Sequence, residues 1–330
     1  MNITRVSMSK FKSIVVIVAL AVLAGCATTP PEAPQQPQAP KQEVPETPPP
    51  VVVVPPPVRI KVPPRVGLAL GGGAARGFAH VGVIQVLEEA GIRPTLVAGT
   101  SAGSLVAAIY ASGKSGAQLQ YVAETMEEAA ITDWTLPLFN RGMLRGDALA
   151  KYVNTQVSSR LIENMPLPLG IVATDLKTGQ SMLFQRGDTG TAVRASSAVP
   201  AVFEPVRISG REYVDGGLVS PVPVRAARQM GAEVVIAVDI SSAPEGNLSG
   251  GTLDVLLQTF TIMSKSINTL ELKDADVVIR PALTGVASSD FSSRKRSIEA
   301  GRQAMLLALP QLRQAILAKT REKEVPVAQR

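Results

Sequence analysis

Val97-Ala98-Gly99-Thr100-Ser101-Ala102-Gly103-Ser104-Leu105 runs apolar, then small and polar, then apolar again. Its centre, Gly99-x-Ser101-x-Gly103, is the pattern in which a chain turns sharply from a strand into a helix and leaves a serine on the bend. The flanking glycines suit a bend where backbones approach too closely for a Cβ. Thr95 to Gly99 reads as the strand, and Ala102 to Ala111, closed by Gly113, as the helix. A serine so placed ordinarily relies on a histidine to take its proton. The chain has one histidine, His80, and it precedes the serine. What activates Ser101 has to be read from the rest of the sequence.

Upstream, Val66 to Leu70 is a short apolar run that reads as a buried strand, and it ends in Gly71-Gly72-Gly73-Ala74-Ala75-Arg76-Gly77. Three successive glycines permit unusual φ and leave backbone N–H groups free to converge on an anion, with a helix N-terminus behind them. That suits the oxyanion formed when a carbonyl is attacked. A phosphate-cradling loop and a simple tight turn are the alternatives; against the former, neither G-x-x-x-x-G-K-[ST] nor G-x-G-x-x-G is present. The helix between Gly77 and Gly91 carries His80 on a face with Ile84 and Leu87, so packing is its expected role.

Downstream, apolar runs at 169–174, 181–184, 233–240 and 276–280 alternate with helical patterns at 222–230, 253–272 and 298–319. The alternation predicts an α/β fold with a mainly parallel central sheet flanked by helices. The segment 115–146 holds the only tryptophan, Trp134, and reads equally as a lid or as core. Glu212-Tyr213-Val214-Asp215-Gly216-Gly217 ends a short strand in a carboxylate followed by two glycines. Alone, Asp-Gly is a common turn pair.

In combination these motifs become specific. GGGAARG, then GTSAG, then Asp215-Gly216-Gly217, preceded by RASSAVPAVFEPV at 194–206, resembles the patatin-like phospholipases, in particular the bacterial group related to the neuropathy target esterase domain. The resemblance runs from about Val66 to Asp239. It implies a patatin-like hydrolase fold and a Ser-Asp dyad, with Ser101 as nucleophile and Asp215 as its base. The oxyanion hole would come from the backbone of Gly71, Gly72 and Gly73 with the N–H of Ala102, while Arg76 and Gly77 complete the Gly-rich motif. Gly99, Gly103, Gly216 and Gly217 support the two catalytic turns. Leu70 stands where plant patatins have Asp. The implied substrate is a phospholipid, a lysophospholipid or another acyl ester, with no cofactor and no metal. A thioesterase or general carboxylesterase would use the same residues, and an inactive scaffold or binding lipoprotein is the alternative from another class.

The first residues read as a sorting device. Arg5, Lys10 and Lys12 precede an apolar run at 14–24 that has the length of a signal-peptide core and is short for a bilayer span. Leu23-Ala24-Gly25-Cys26 resembles the lipobox of bacterial lipoproteins, and Cys26 is the only cysteine in the chain. Residues 1–25 are therefore expected to be a lipoprotein signal peptide, and Cys26 the lipidated first residue of the mature chain. Ala27 after the cysteine resembles the signal for the outer membrane, implying an exported lipoprotein on its periplasmic face. Residues 26–64 hold 14 of the 26 prolines and read as a disordered linker, able at ~3.1 Å per residue to reach on the order of 100 Å. VVVV at 51–54 interrupts it as a possible edge strand. The hydrolase domain is placed at 65–330. Formal charge falls from +6 to +3 without Arg5, Lys10 and Lys12, and no basic stripe with interleaved aromatics appears, so no nucleic-acid partner is expected. Protein partners and oligomeric state are not legible. Cys26→Ser is expected to leave the full chain unlipidated and to move it from the detergent to the aqueous phase in Triton partitioning; unchanged partitioning would refute the anchor.

Overall fold

The computed structural model describes residues 58–133, 141–242, 251–287 and 289–325. The expected signal peptide, Cys26, the VVVV stretch and Trp134 with its TLPLF lie outside them. In chain order the first half comprises β1 (Val58–Val62), β2 (Val66–Leu70), α1 (Ala79–Glu89), β3 (Leu96–Thr100), α2 (Ala102–Ala111), α3 (Gly116–Thr125), β4 (Gly142–Leu144), α4 (Asp147–Gln156) and β5 (Leu169–Asp175). There follow β6 (Ser181–Phe184), α5 (Thr189–Ser196), β7 (Ala201–Phe203), β8 (Val206–Ile208), β9 (Arg211–Asp215), α6 (Val224–Gln229), β10 (Val234–Val238), α7 (Thr252–Glu271), β11 (Val277–Ile279), α8 (Arg294–Lys319) and β12 (Arg321–Val325).

The central sheet has the order β11-β10-β2-β3-β5-β9-β8, with β6 also on β5. Its first five strands are parallel, while β6, β8 and β9 join antiparallel, so the sheet is mainly parallel, as expected. Strands buried on both faces divide their side chains by size. Val66, Leu68 and Leu70 of β2 and Val234, Ile236 and Val238 of β10 point into the larger core with α1, α2 and α8. Their alternates, Ala69, Val235 and Ala237, meet Ala226 and Ala227 of α6 on the other face. Small residues let α6 and the turn after it lie close: a Cβ on Gly67 would stand 3.5 Å from that of Ala227 and 2.5 Å from that of Ala232.

The chain departs from β2 in two directions. Through α1 it reaches β3 on one side, and β10, the first strand on the other side, leads through α7 to β11. Open α/β sheets place ligand sites at the carboxyl ends of strands where the order reverses in this way. The Gly-rich loop follows β2, and Ser101 follows β3.

Two differences from the sequence reading stand out. The linker was expected to end at Pro64, yet β1 pairs antiparallel with β12, an element the reading lacked, so ordered structure begins by Val58. The reason is local: Val-Arg-Ile-Lys-Val alternates without proline, and Arg-Glu-Lys-Glu-Val offers acids to its bases, Arg59 reaching Glu324 at 3.2 Å and Glu322 at 3.9 Å. Within 115–146, α3 is capped by a reciprocal Ser115–Gln118 box and buries Leu119 and Ala123, while β4 pairs with β7. The described parts of that segment are thus packed; the stretch that suggested a lid lies outside the described residues.

The helices α1 and α8 cross at backbone contact. A Cβ on Gly82 would lie 1.9 Å from the Ile298 carbonyl oxygen, and one on Gly301 2.0 Å from that of Ala79. Gly82→Ala and Gly301→Ala are each expected to destabilise the fold by about 1–3 kcal/mol in urea unfolding. The double variant should lose less than the sum, because either change already separates the helices.

Candidate active site

Ser101 sits where the fold forces the sharpest bend. It caps α2 with φ 52° and ψ −124°, a conformation costly for a residue with a Cβ and typical of functional sites. Closeness of backbones imposes it: a Cβ on Gly103 would lie 2.1 Å from the Leu70 carbonyl oxygen, and one on Gly99 2.5 Å from that of Gly103. The strained bend is held by Ser196, whose Oγ accepts the Ser101 N–H at 2.8 Å and donates to the Val172 carbonyl at 2.5 Å. Thr100 Oγ1 adds a bond to the Ser220 carbonyl at 2.8 Å.

Asp215 ends β9 and reaches the same place from the other half of the motif set. Its backbone is fixed by N–H donation to Ala198 at 2.9 Å and by Thr174 Oγ1 at 2.8 Å on its carbonyl. Gly216 has no room for a side chain, since a Cβ would fall 2.2 Å from the Val172 carbonyl oxygen. The Gly217 N–H donates to Asp215 Oδ1 at 2.6 Å, and the Ser101 side chain lies near enough to the carboxylate to favour its charged form. The side chain is buried, 7% exposed, and burial pushes its pKa up to about 6 against these two influences. The pair is thus a serine beside a carboxylate made unusually basic.

The Gly-rich loop departs from expectation. Gly71 N–H is spent on the Val238 carbonyl at 3.0 Å and Gly72 N–H on that of Pro221 at 2.9 Å. Those bonds anchor the loop to the sheet, so these two amides cannot also face an oxyanion. Among the described residues the N–H groups of Gly73 and of Ala102 donate to no other group. Gly72 serves by absence instead: its α-carbon lies so close to Ser101 that a Cβ would stand 3.2 Å from that of the serine. Gly77 admits Ala102 in the same manner, at 3.0 Å between Cβ positions.

His80 is wholly buried in α1, and its Nε2 lies 2.8 Å from the Gly71 carbonyl oxygen. Burial pushes its pKa down to about 4, so it is neutral at pH 7 and donates from Nε2. It therefore ties down the loop and is not aimed at Ser101. Arg76 turns away from the pair as well: Nε donates to the Gly73 carbonyl at 3.3 Å, and burial lowers its pKa while the nearby Asp239 opposes that shift. Ser196, His80 and Thr174 are supports that the motifs did not disclose. Only Ser196 left a trace, in the RASSAVPAVFEPV stretch. Among the described residues no three His, Cys, Asp or Glu side chains gather as a metal site would require, and no helix is long and apolar enough to cross a membrane.

A carboxylate whose folded value exceeds its unfolded one stabilises the fold while protonated. That contribution is complete below about pH 4 and is lost as the pH rises through about 6. Asp215→Asn keeps the shape without the charge. It should exceed the native protein in unfolding free energy by about 1–3 kcal/mol at pH 8 and match it at pH 4. An equal difference at both pH values in urea titrations would contradict the burial argument.

Comparison with known proteins bears on the family and the fold. Residues 68–228 match the family model for patatin-like phospholipases. An uncharacterized NTE family protein of Mycobacterium tuberculosis is 36% identical over 214 residues, covering 64% of this chain and 59% of its own length. The human patatin-like phospholipase domain-containing protein 6 is 34% identical over 192 residues, covering 56% of this chain and 14% of its own. The chain thus spans well under two thirds of either relative. In fold it is similar to VipD from Legionella pneumophila, with a TM-score of 0.52 at 16% identity over 80% of this chain and 69% of that one. From its ordered motifs, its mainly parallel sheet and these likenesses, the chain belongs to the patatin-like phospholipase family.

Proposed function

We propose that the protein is a serine acyl hydrolase that cleaves fatty-acyl esters of phospholipids or lysophospholipids through Ser101 and Asp215. One observation carries the reading: beside Ser101 lies a buried carboxylate, Asp215, whose pKa has risen to about 6. An ordinary aspartate is a poor base near neutrality, and burial supplies the missing basicity without a histidine. Above pH 6 the carboxylate is ionised and takes the proton as Oγ attacks the ester carbonyl. The N–H groups of Gly73 and Ala102 supply hydrogen bonds to the oxygen that becomes negative, and α2 presents its positive end to it. Collapse expels the alcohol, protonated by Asp215, and leaves an acyl-Ser101 ester. Water, deprotonated by Asp215, then releases the fatty acid and restores the serine. The lipid anchor read from Cys26 completes the proposal, with the enzyme exported and held beside its substrate.

The test is fluorophosphonate labelling followed by acyl release from phospholipid and lysophospholipid. Ser101→Ala should abolish the adduct, and Asp215→Ala should lower turnover by about 10²–10⁴-fold. The pH profile of kcat/KM should fall with unit slope below about pH 6, the sign required by a base that must be ionised. A profile flat from pH 5 to 8, or an adduct that survives Ser101→Ala, would overturn the assignment.

A further inference from the structure

Beside the candidate site lies a cavity of about 1280 Å³ that neither Ser101 nor Asp215 lines. Its walls come from the carboxyl ends of β2, β10 and β11 and from the inner side of α7. That is the position, at the reversal of strand order, where α/β sheets hold ligands.

Its chemistry is cationic at the floor. Arg76 is 7% exposed and lines the cavity, and among the described residues its guanidinium makes one hydrogen bond, from Nε to the Gly73 carbonyl. Among the described residues no carboxylate lies within ion-pair distance of its guanidinium. The nearest candidate, Asp239, is already engaged, with Arg280 at 3.4 Å and with the N–H and hydroxyl of Ser241 at 3.1 and 2.6 Å. A buried cation that must share its one nearby carboxylate with a second arginine is costly, and an anion in the cavity would offset that cost. Among the described residues Lys273 adds positive charge to the walls, and Asp254 adds a carboxylate beyond the Asp239–Arg280 pair. Asn268 lines the same space, 4% exposed, with both side-chain amide atoms enclosed and unpaired. Polar atoms left so in a native fold call for an occupant.

We propose that this cavity is a phosphate-binding site, with the Arg76 guanidinium as its principal ligand. Geometry favours a phosphate that belongs to the substrate. Arg76 is bonded to Gly73, whose amide donates to no other group, and Gly77 abuts Ala102. On the far side, Ser264 of α7 donates to the Gly217 carbonyl at 3.4 Å, so the helix that walls the cavity also touches the turn behind Asp215. A phosphodiester held there would set the nearby ester of the same lipid toward Ser101. Assigning the phosphate to a lipid headgroup rests on the hydrolase reading; the site itself does not.

The experiment uses full-length protein carrying Ser101→Ala, which binds without turnover, and titration calorimetry. The probes are dihexanoylphosphatidic acid, dihexanoylglycerol and inorganic phosphate. The phosphatidic acid should bind at least tenfold more tightly than the neutral glyceride. Adding Arg76→Gln should remove that preference, and adding Lys273→Glu, on an exposed residue, should weaken it about threefold, with thermal unfolding unchanged in the latter. Phosphate competing only weakly with the lipid supports a headgroup site; phosphate binding as tightly as the lipid supports the site with a free anion as its ligand. Equal affinity for charged and neutral lipid, or a preference unaltered by both substitutions, overturns the proposal. The two readings separate cleanly. Native protein that binds phosphatidic acid selectively without hydrolysing any ester would refute the enzyme and keep the site, whereas hydrolysis indifferent to phosphate would do the reverse.

Discussion

The contact between the first turn of α2 and the end of β2 governs this molecule. Gly103 lies against the Leu70 carbonyl with no space for a side chain, and that closeness drives Ser101 to a positive φ. The bend leaves the start of α2 without internal acceptors for its amides and projects a hydroxyl beside them. Ser196, Thr100 and the β3–β5 ladder hold the strain in place. Local strain persists only when the surroundings overdetermine it, and here three separate elements do so.

Burial then assigns different tasks to three ionisable groups around one loop. Asp215 loses water and becomes more basic, which suits a proton acceptor. His80 loses water and stays neutral, so its Nε2 is available to hold the Gly71 carbonyl. Arg76 loses water and keeps its charge, because guanidinium does not give up its proton near neutrality. The same physical cost thus produces a carboxylate of raised pKa, a neutral strut and a cation that keeps its charge.

Much of the fold was legible. Buried parallel strands read as continuous apolar runs, and the runs at 66–70, 169–174 and 233–240 contain strands where expected. The β1–β12 ribbon was missed because its strands are short, charged and paired across 265 residues, as Arg59 with Glu324 illustrates. Periodicity within a window carries no information about such a partner. The Gly-rich loop was expected to present its amides, yet which of them remain free depends on carbonyls of Pro221 and Val238, far along the chain.

Sequence alone determined the order of the motifs, the residue types at the two turns and the absence of a second histidine. These follow from local rules: glycine where backbones touch, apolar runs where strands are covered on both faces. Tertiary structure decided that Ser101 and Asp215, 114 positions apart, come together, that His80 is a support, and that Arg76 faces a cavity of its own. Desolvation and hydrogen-bond partnership are properties of the packed whole, and no single stretch of the chain contains them.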